Sequence, residues 1–356
     1  MKTMVIVLDL ILIIILVLVI PFFVLNIFNI LRITIGNKTV PNILVIISQV
    51  ILMIISFILI VYLINLLNKT NFNTISQILI SKYSSNKVGF GVLFILTLIF
   101  VAVTILIVKQ RSLIYIPNFN EKAHNEISNN NKYKTVEIKD GTFNYIGYLK
   151  NDLEDKPLII YYGGNADSAA NIFSEFQRLE NSLFNNFNFL MVDYPKYGLS
   201  SNSLNEENIF NMALLTFDYA TIELGYKNSE IIVMGYSLGS GVASYVASKR
   251  ATKTNVLIAP YNSISNVANT ILPIFYGPFE NLIKDPYSSN VYVKDINVKT
   301  LVIASKKDKV IKYKLTKKLI ENIKEYKLIE FNNLSHSDFL EETTVHEAIA
   351  SFILDE

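Results

Sequence analysis

The chain contains no cysteine. That excludes disulfides, a thiolate nucleophile and any cysteine-based metal site. Histidine is scarce too: His124, His336 and His346 are the only three. Three are too few for a histidine-rich metal centre, and they leave a short search for a catalytic base. Charge is also low, with 17% of the 356 residues charged and a formal net charge of +2. Such a balance gives no footing for nucleic acid, and no basic stripe interleaved with aromatics is present. Neither a metal nor a nucleic-acid partner is expected.

Apolar residues are in excess instead, at 51% of the chain with a mean hydropathy of +0.37. The excess sits in the first third, as runs at 4–25, 43–67 and 88–108. A helix of about 20 apolar residues crosses a hydrocarbon core. Three transmembrane helices are therefore expected, within a membrane domain at 1–111. The protein would be a multi-pass membrane protein, of the cell membrane. Lysine and arginine are nearly balanced between the two sides, so the positive-inside rule names no orientation.

From 112 to 132 the composition turns polar and rich in asparagine, which reads as a linker. The rest, 133–356, has the pattern of a globular domain. Two alternating stretches around Asp140-Gly141 form a β-hairpin signature. Short, near-continuous apolar runs follow at 157–162, 187–192, 231–234, 255–259 and 300–304, and a last strand is expected at 327–331. Such runs fit strands buried on both faces of a parallel sheet. Helical patterns separate most of them, so an α/β class is expected, with helices on both faces of a mostly parallel sheet behind a leading antiparallel hairpin. The long connection at 262–298, rich in Pro, Tyr and Phe, is expected to form a small cap.

One stretch concentrates chemistry. The β-branched run Ile231-Ile232-Val233-Met234 ends in Gly235-Tyr236-Ser237-Leu238-Gly239, followed by small residues with a helical pattern. A Gly-x-Ser-x-Gly placed between strand and helix is the signature of a nucleophile elbow. A serine hydroxyl needs a base, and the base needs an orienting carboxylate. Asp308, just past the run at 300–304, and His336, just past the last strand, fall where loops leave the C-terminal edge of a parallel sheet. The order Ser237, Asp308, His336 is the one used on such sheets. His346 competes for the base but falls inside the terminal helix pattern, on a surface turn. An oxyanion needs preorganised N–H donors. The backbone amide of Leu238 is one candidate, and Asn165 or Ala166 in the loop Gly163-Gly164-Asn165-Ala166 is the other. A glycine-rich loop before a helix also suits a phosphate. No Gly-Lys-Ser/Thr follows, so no nucleotide and no other cofactor is expected.

Taken together, Gly163–Ala166, the segment Asp193-Tyr194-Pro195-Lys196-Tyr197-Gly198-Leu199-Ser200, the elbow and Ser305-Lys306-Lys307-Asp308 resemble the α/β-hydrolase superfamily. The likeness is greatest to its membrane-anchored Bem46-like serine hydrolases. It extends over about 133–354 and implies an eight-stranded α/β-hydrolase fold, with Ser237, Asp308 and His336 as the triad and Asp193 as structural. The sequence departs from the branch at Gly163 (usually histidine), Pro195-Lys196 (Arg-Gly), Ser305 (glycine) and Leu334-Ser335 (Gly-Gly). The expected function is a membrane-bound serine hydrolase cleaving an ester, thioester or amide of a small-molecule, lipid or acylated substrate. A peptidase of the same fold and a non-catalytic membrane receptor or scaffold stay open as alternatives.

Overall fold

The structure is a computed structural model that describes residues 102–355. Its centre is one sheet of eight strands: β1 (Lys134–Asp140), β2 (Phe143–Lys150), β3 (Leu158–Tyr162), β4 (Asn188–Val192), β5 (Ile231–Tyr236), β6 (Thr254–Ile258), β7 (Thr300–Ser305) and β8 (Tyr326–Phe331). They lie in the order β1-β2-β4-β3-β5-β6-β7-β8. The hairpin β1–β2 pairs antiparallel and adds to β4 antiparallel. All pairings from β4 through β3 and β5 to β8 are parallel.

The apolar runs are explained by two cores, one on each face of the sheet. Leu158, Ile160, Ile231 and Val233 join the core beneath one face. Their neighbours Ile159, Tyr161, Ile232 and Met234 join the other. Alternate residues of a strand point to opposite faces, so a strand covered on both sides is apolar along most of its length, with polar residues such as Asn188, Asn255 and Thr300 kept to the first positions of their strands. Each apolar side chain contributes about 1.5–3 kcal/mol on burial. The edge strand β1 shows the contrast, alternating buried and exposed residues along its length.

Helices cover both faces. In chain order they are α1 (102–114), α2 (Glu121–Ser128), α3 (Ala169–Phe176), α4 (Glu206–Ile222), α5 (Leu238–Lys249), α6 (Ile264–Ala268), α7 (Ser289–Tyr292), α8 (Tyr313–Ile320) and α9 (Thr343–Asp355). Residues 262–298 hold α6, a 3₁₀ turn at Gly277–Leu282 and α7.

Two expectations change. The three transmembrane helices are not supported, because no helix among the described residues is long and apolar enough to cross a membrane. The runs at 4–25 and 43–67, and the third as far as residue 101, lie outside the described residues. The described end of the third run opens α1, which continues through Lys109, Gln110 and Arg111 to residue 114. Those polar residues dock on the 262–298 segment. Gln110 Nε2 donates to the Leu282 carbonyl, Gln110 Oε1 accepts from the Lys284 amide, and the Arg111 guanidinium forks onto Asp285 at 2.8 and 3.0 Å. Hydropathy scores the apolar residues alone, and it cannot register that the polar ones after them belong to the same packed helix. The multi-pass membrane localisation drawn from those spans is withdrawn with them.

Residues 112–132, read as a linker, contain α2. Asn120 caps this helix by accepting from the Ala123 amide, and Ile127 is fully buried. Asparagines that suggest loop in a sequence serve here as helix caps.

Candidate active site

Strand β5 ends at Tyr236 and helix α5 begins at Leu238, so Ser237 alone turns the chain. It does so at φ 50°, ψ −118°, a strained conformation for a residue with a side chain, worth about 1–3 kcal/mol. The turn closes only because its flanks are bare. A Cβ on Gly235 would stand 2.1 Å from the Gly239 carbonyl oxygen, and one on Gly239 would stand 1.9 Å from that of Tyr162.

Three side chains meet at this point. His336 Nε2 lies 2.9 Å from Ser237 Oγ, and His336 Nδ1 lies 2.7 Å from Asp308 Oδ2. Their order fixes the proton positions. With a carboxylate on Nδ1, that nitrogen carries the hydrogen and Nε2 is left to accept from the serine hydroxyl. Asp308 is held in turn, since its Oδ1 accepts from the Val310 and Ile311 amides at 2.8 and 2.9 Å. The carboxylate side chain is 1% exposed and the imidazole 18%.

Two further side chains steady His336. The Tyr236 hydroxyl donates to the His336 carbonyl at 2.5 Å, and its ring stacks on the imidazole with centroids 5.2 Å apart. Ser305 Oγ donates 2.6 Å to the Leu334 carbonyl, tying the end of β7 to the loop that carries the histidine. Sequence reasoning noted Ser305 only as a departure from glycine and took Tyr236 as a spacer. Their positions beside the elbow and the acid loop were the available signal.

The expected oxyanion loop lies directly against the elbow. A Cβ on Gly239 would also meet the Gly163 carbonyl oxygen at 2.5 Å, and one on Gly164 would touch the Tyr236 ring at 3.2 Å. The N–H of Leu238 opens α5, where a helix leaves its first amides without an internal acceptor. Gly164 N–H is already used, donating 2.6 Å to Asp167 Oδ2. Asn165 and Ala166 follow it in the loop. Desolvation raises the Asp167 carboxyl above its usual range. The absence of a histidine at 163 also has a reason. A Cβ there would meet Asp167 Cβ at 2.7 Å and Met191 Cε at 2.9 Å.

The other titratable groups stand apart from this line. His346 is buried rather than on a surface turn, against the expectation, because Phe176 packs on its ring and two backbone groups satisfy its nitrogens. Nε2 donates to the Leu340 carbonyl, and Nδ1 accepts from the Leu183 amide. Burial lowers its pKa. Asp193 is 3% exposed and accepts from the Ala169 amide at the start of α3, and burial pushes its carboxyl up to about 7. His124 Nδ1 bonds the Tyr148 hydroxyl. Among the described residues no group of His, Asp or Glu side chains is placed to hold a metal ion.

Comparison with known proteins gives a family match over part of the chain and neighbours of the same fold. A family model described as serine hydrolase (FSH1) matches residues 219–336, the stretch from α4 to the histidine. An esterase of Pyrococcus furiosus superposes with a TM-score of 0.53 at 16% identity, over 68% of this chain and 98% of the esterase. An α/β-hydrolase of Vibrio vulnificus gives 0.53 at 19% identity, over 67% and 87%. The chain has the α/β-hydrolase fold. Among curated relatives, Bem46 of Schizosaccharomyces pombe is 21% identical over 57% of this chain and 71% of its own length. An uncharacterised protein of Acanthamoeba polyphaga mimivirus is 27% identical over 51% of this chain. The chain spans 64% of that protein's length, and 59% of the mycobacterial relatives that follow.

Within this α/β-hydrolase fold the departing loop at 195–196 also finds its place. Lys196 takes φ 66° where the Bem46-like pattern has glycine, and the tight turn it makes sets Tyr197 against the oxyanion loop.

Proposed function

We propose that this α/β-hydrolase is a serine hydrolase that cleaves an ester, thioester or amide through an acyl-Ser237 intermediate. The observation that carries this reading is the continuous hydrogen-bonded line from Ser237 through His336 to Asp308. Ser237 Oγ attacks the substrate carbonyl while His336 Nε2 takes its proton. Asp308 holds the imidazole and balances the charge it gains. The amide of Leu238, with that of Asn165 or Ala166, receives the developing oxyanion. Collapse of the tetrahedral intermediate expels the leaving group, which takes the proton from Nε2. Water then repeats the sequence on the acyl-enzyme and frees the serine.

An acylated small molecule is the favoured substrate. The 262–298 segment exposes Ile271, Leu272, Tyr276 and Phe279, apolar groups suited to an acyl chain, and the fold neighbour from Pyrococcus is an esterase. A fluorophosphonate probe tests the reaction class. Label is expected on Ser237 and is expected to vanish in Ser237→Ala. Folded wild-type protein that takes up no label, and that leaves p-nitrophenyl esters intact, refutes the proposal.

A further inference from the structure

The oxyanion loop is fastened peptide by peptide. The Gly163 carbonyl accepts from the Tyr194 hydroxyl at 2.8 Å, and the Gly164 carbonyl accepts from the Asp167 amide at 3.4 Å. The Asn165 carbonyl accepts from two donors, the Tyr197 hydroxyl at 2.5 Å and the Ile116 amide at 2.9 Å. The Ala166 carbonyl accepts from Asn118 Nδ2 at 3.3 Å. Two of these fastenings come from outside the sheet domain as the sequence delimits it, from the stretch between α1 and α2.

A trans peptide points its carbonyl and the following N–H in opposite directions, and no described peptide is cis. Fixing the Asn165 carbonyl therefore fixes the direction of the Ala166 N–H. Fixing the Gly164 carbonyl does the same for Asn165 N–H. These are the two amides available to pair with Leu238. The stretch is itself anchored, because the Gly198 amide donates to the Asn118 carbonyl and the Ile116 amide also reaches Tyr197 Oη. Upstream, Tyr115 Oη and Tyr287 Oη bond at 2.9 Å.

We propose that residues 115–118 form a strap which, with Tyr197, acts as a positioning element for the oxyanion hole. The catalytic unit of this hydrolase then begins before Tyr115, although no strap residue touches substrate. Donors that must already point at the developing charge gain their effect from being held before the reaction starts. Loosening the strap lets the 165–166 peptide rotate, which weakens binding of the transition state more than of the substrate. This inference rests on the serine-hydrolase reading above.

The test uses full-length protein carrying Tyr197→Phe, Asn118→Ala, or both. Tyr145→Phe is the control, since the buried Tyr145 hydroxyl bonds Asn202 and neighbours Asn211 and Asp140, none of which holds the oxyanion loop. Turnover of p-nitrophenyl butyrate and inhibition by butylboronic acid are measured against active-site-titrated enzyme. Tyr197→Phe is expected to lower kcat about tenfold with KM within about twofold, less than the roughly 10²–10³ lost when an oxyanion donor is removed outright. The double variant is expected to lose more. Boronate affinity is expected to fall in step with kcat, because the tetrahedral adduct uses the same donors, while Tyr145→Phe leaves both unchanged. Variants with kcat and boronate affinity within twofold of wild type overturn the strap, as does a loss that disappears on normalising to titratable sites. Wild-type protein that neither titrates nor turns over ester overturns the underlying reading instead.

Discussion

Replacing Asp308 by asparagine separates the chemistry of the triad from its stability. In the native site Oδ1 accepts from two backbone amides and Oδ2 faces His336 Nδ1. An asparagine has one oxygen and one NH₂ for these two positions. The oxygen must face Val310 and Ile311, since an NH₂ there would oppose two donors. The NH₂ then faces Nδ1 and forces the imidazole into the tautomer with its proton on Nε2. A protonated Nε2 cannot take the serine's proton, so the base is lost while the geometry stays. A change of this kind in a serine–histidine–aspartate triad costs about 10⁴ in kcat, or about 5 kcal/mol of transition-state stabilisation. The folding cost is smaller, about 1.5–3 kcal/mol for one charge-assisted hydrogen bond, or several degrees in Tm. Asp308→Ala reverses the balance, because it also leaves both amides without an acceptor at about 1–3 kcal/mol each. Ester turnover and thermal unfolding, measured on wild type and both variants, check the difference. An asparagine variant within tenfold of wild-type kcat refutes the assigned role of Asp308.

Three further outcomes follow from particular residues. Ser237→Gly relieves about 1–3 kcal/mol of backbone strain and adds up to about 1 kcal/mol of unfolded-state entropy. Its urea midpoint is expected to rise while activity vanishes, and a lower midpoint counts against strain at the elbow. Burial pushes the Asp193 carboxyl up to about 7 from the ordinary aspartate value of about 4. Between those values the folded state holds the extra proton, so this group's contribution to stability declines as pH rises from about 4 to 7. The gap corresponds to at most about 4 kcal/mol, and Asp193→Asn should therefore gain on wild type in urea titrations at pH 8 relative to pH 4.5. A pH-independent difference argues against a buried titrating carboxyl there. Finally, seven of the chain's 28 lysines fall within 306–318, flanking Asp308, and none of the seven forms an ion pair among the described residues. An ester with an anionic leaving group should show kcat/KM falling as salt rises, with a neutral ester unaffected; parallel salt responses exclude steering by this arc.

The lysine arc illustrates why composition misleads. A net charge of +2 averages over the chain and hides a local excess, the seven lysines that stand within 306–318 on either side of Asp308. Hydropathy misled in a related way at α1. Apolar residues followed by Lys109-Gln110-Arg111 satisfy a membrane rule as well as they satisfy a helix whose polar end docks on Leu282, Lys284 and Asp285. Histidine 346 was misplaced because a single polar residue in a terminal helix gives no local sign of burial. Its partners, Leu183 and Phe176, lie more than 160 residues away in sequence.

By itself the sequence determined what depends on local pattern. Continuous apolar runs set strands that only a doubly covered sheet accommodates, and Gly235 and Gly239 around Ser237 set the one turn whose close approaches exclude a side chain. The spacing of Asp308 and His336 behind their strands placed both at the same edge. Tertiary structure alone decided the rest. Hydrogen bonds from Tyr236 and Ser305 onto the histidine loop, and from Ile116, Asn118 and Tyr197 onto the oxyanion loop, join residues with no fixed spacing. Such contacts depend on which loops the sheet order brings together, and a backbone carbonyl accepts a donor without leaving any mark on its own residue type.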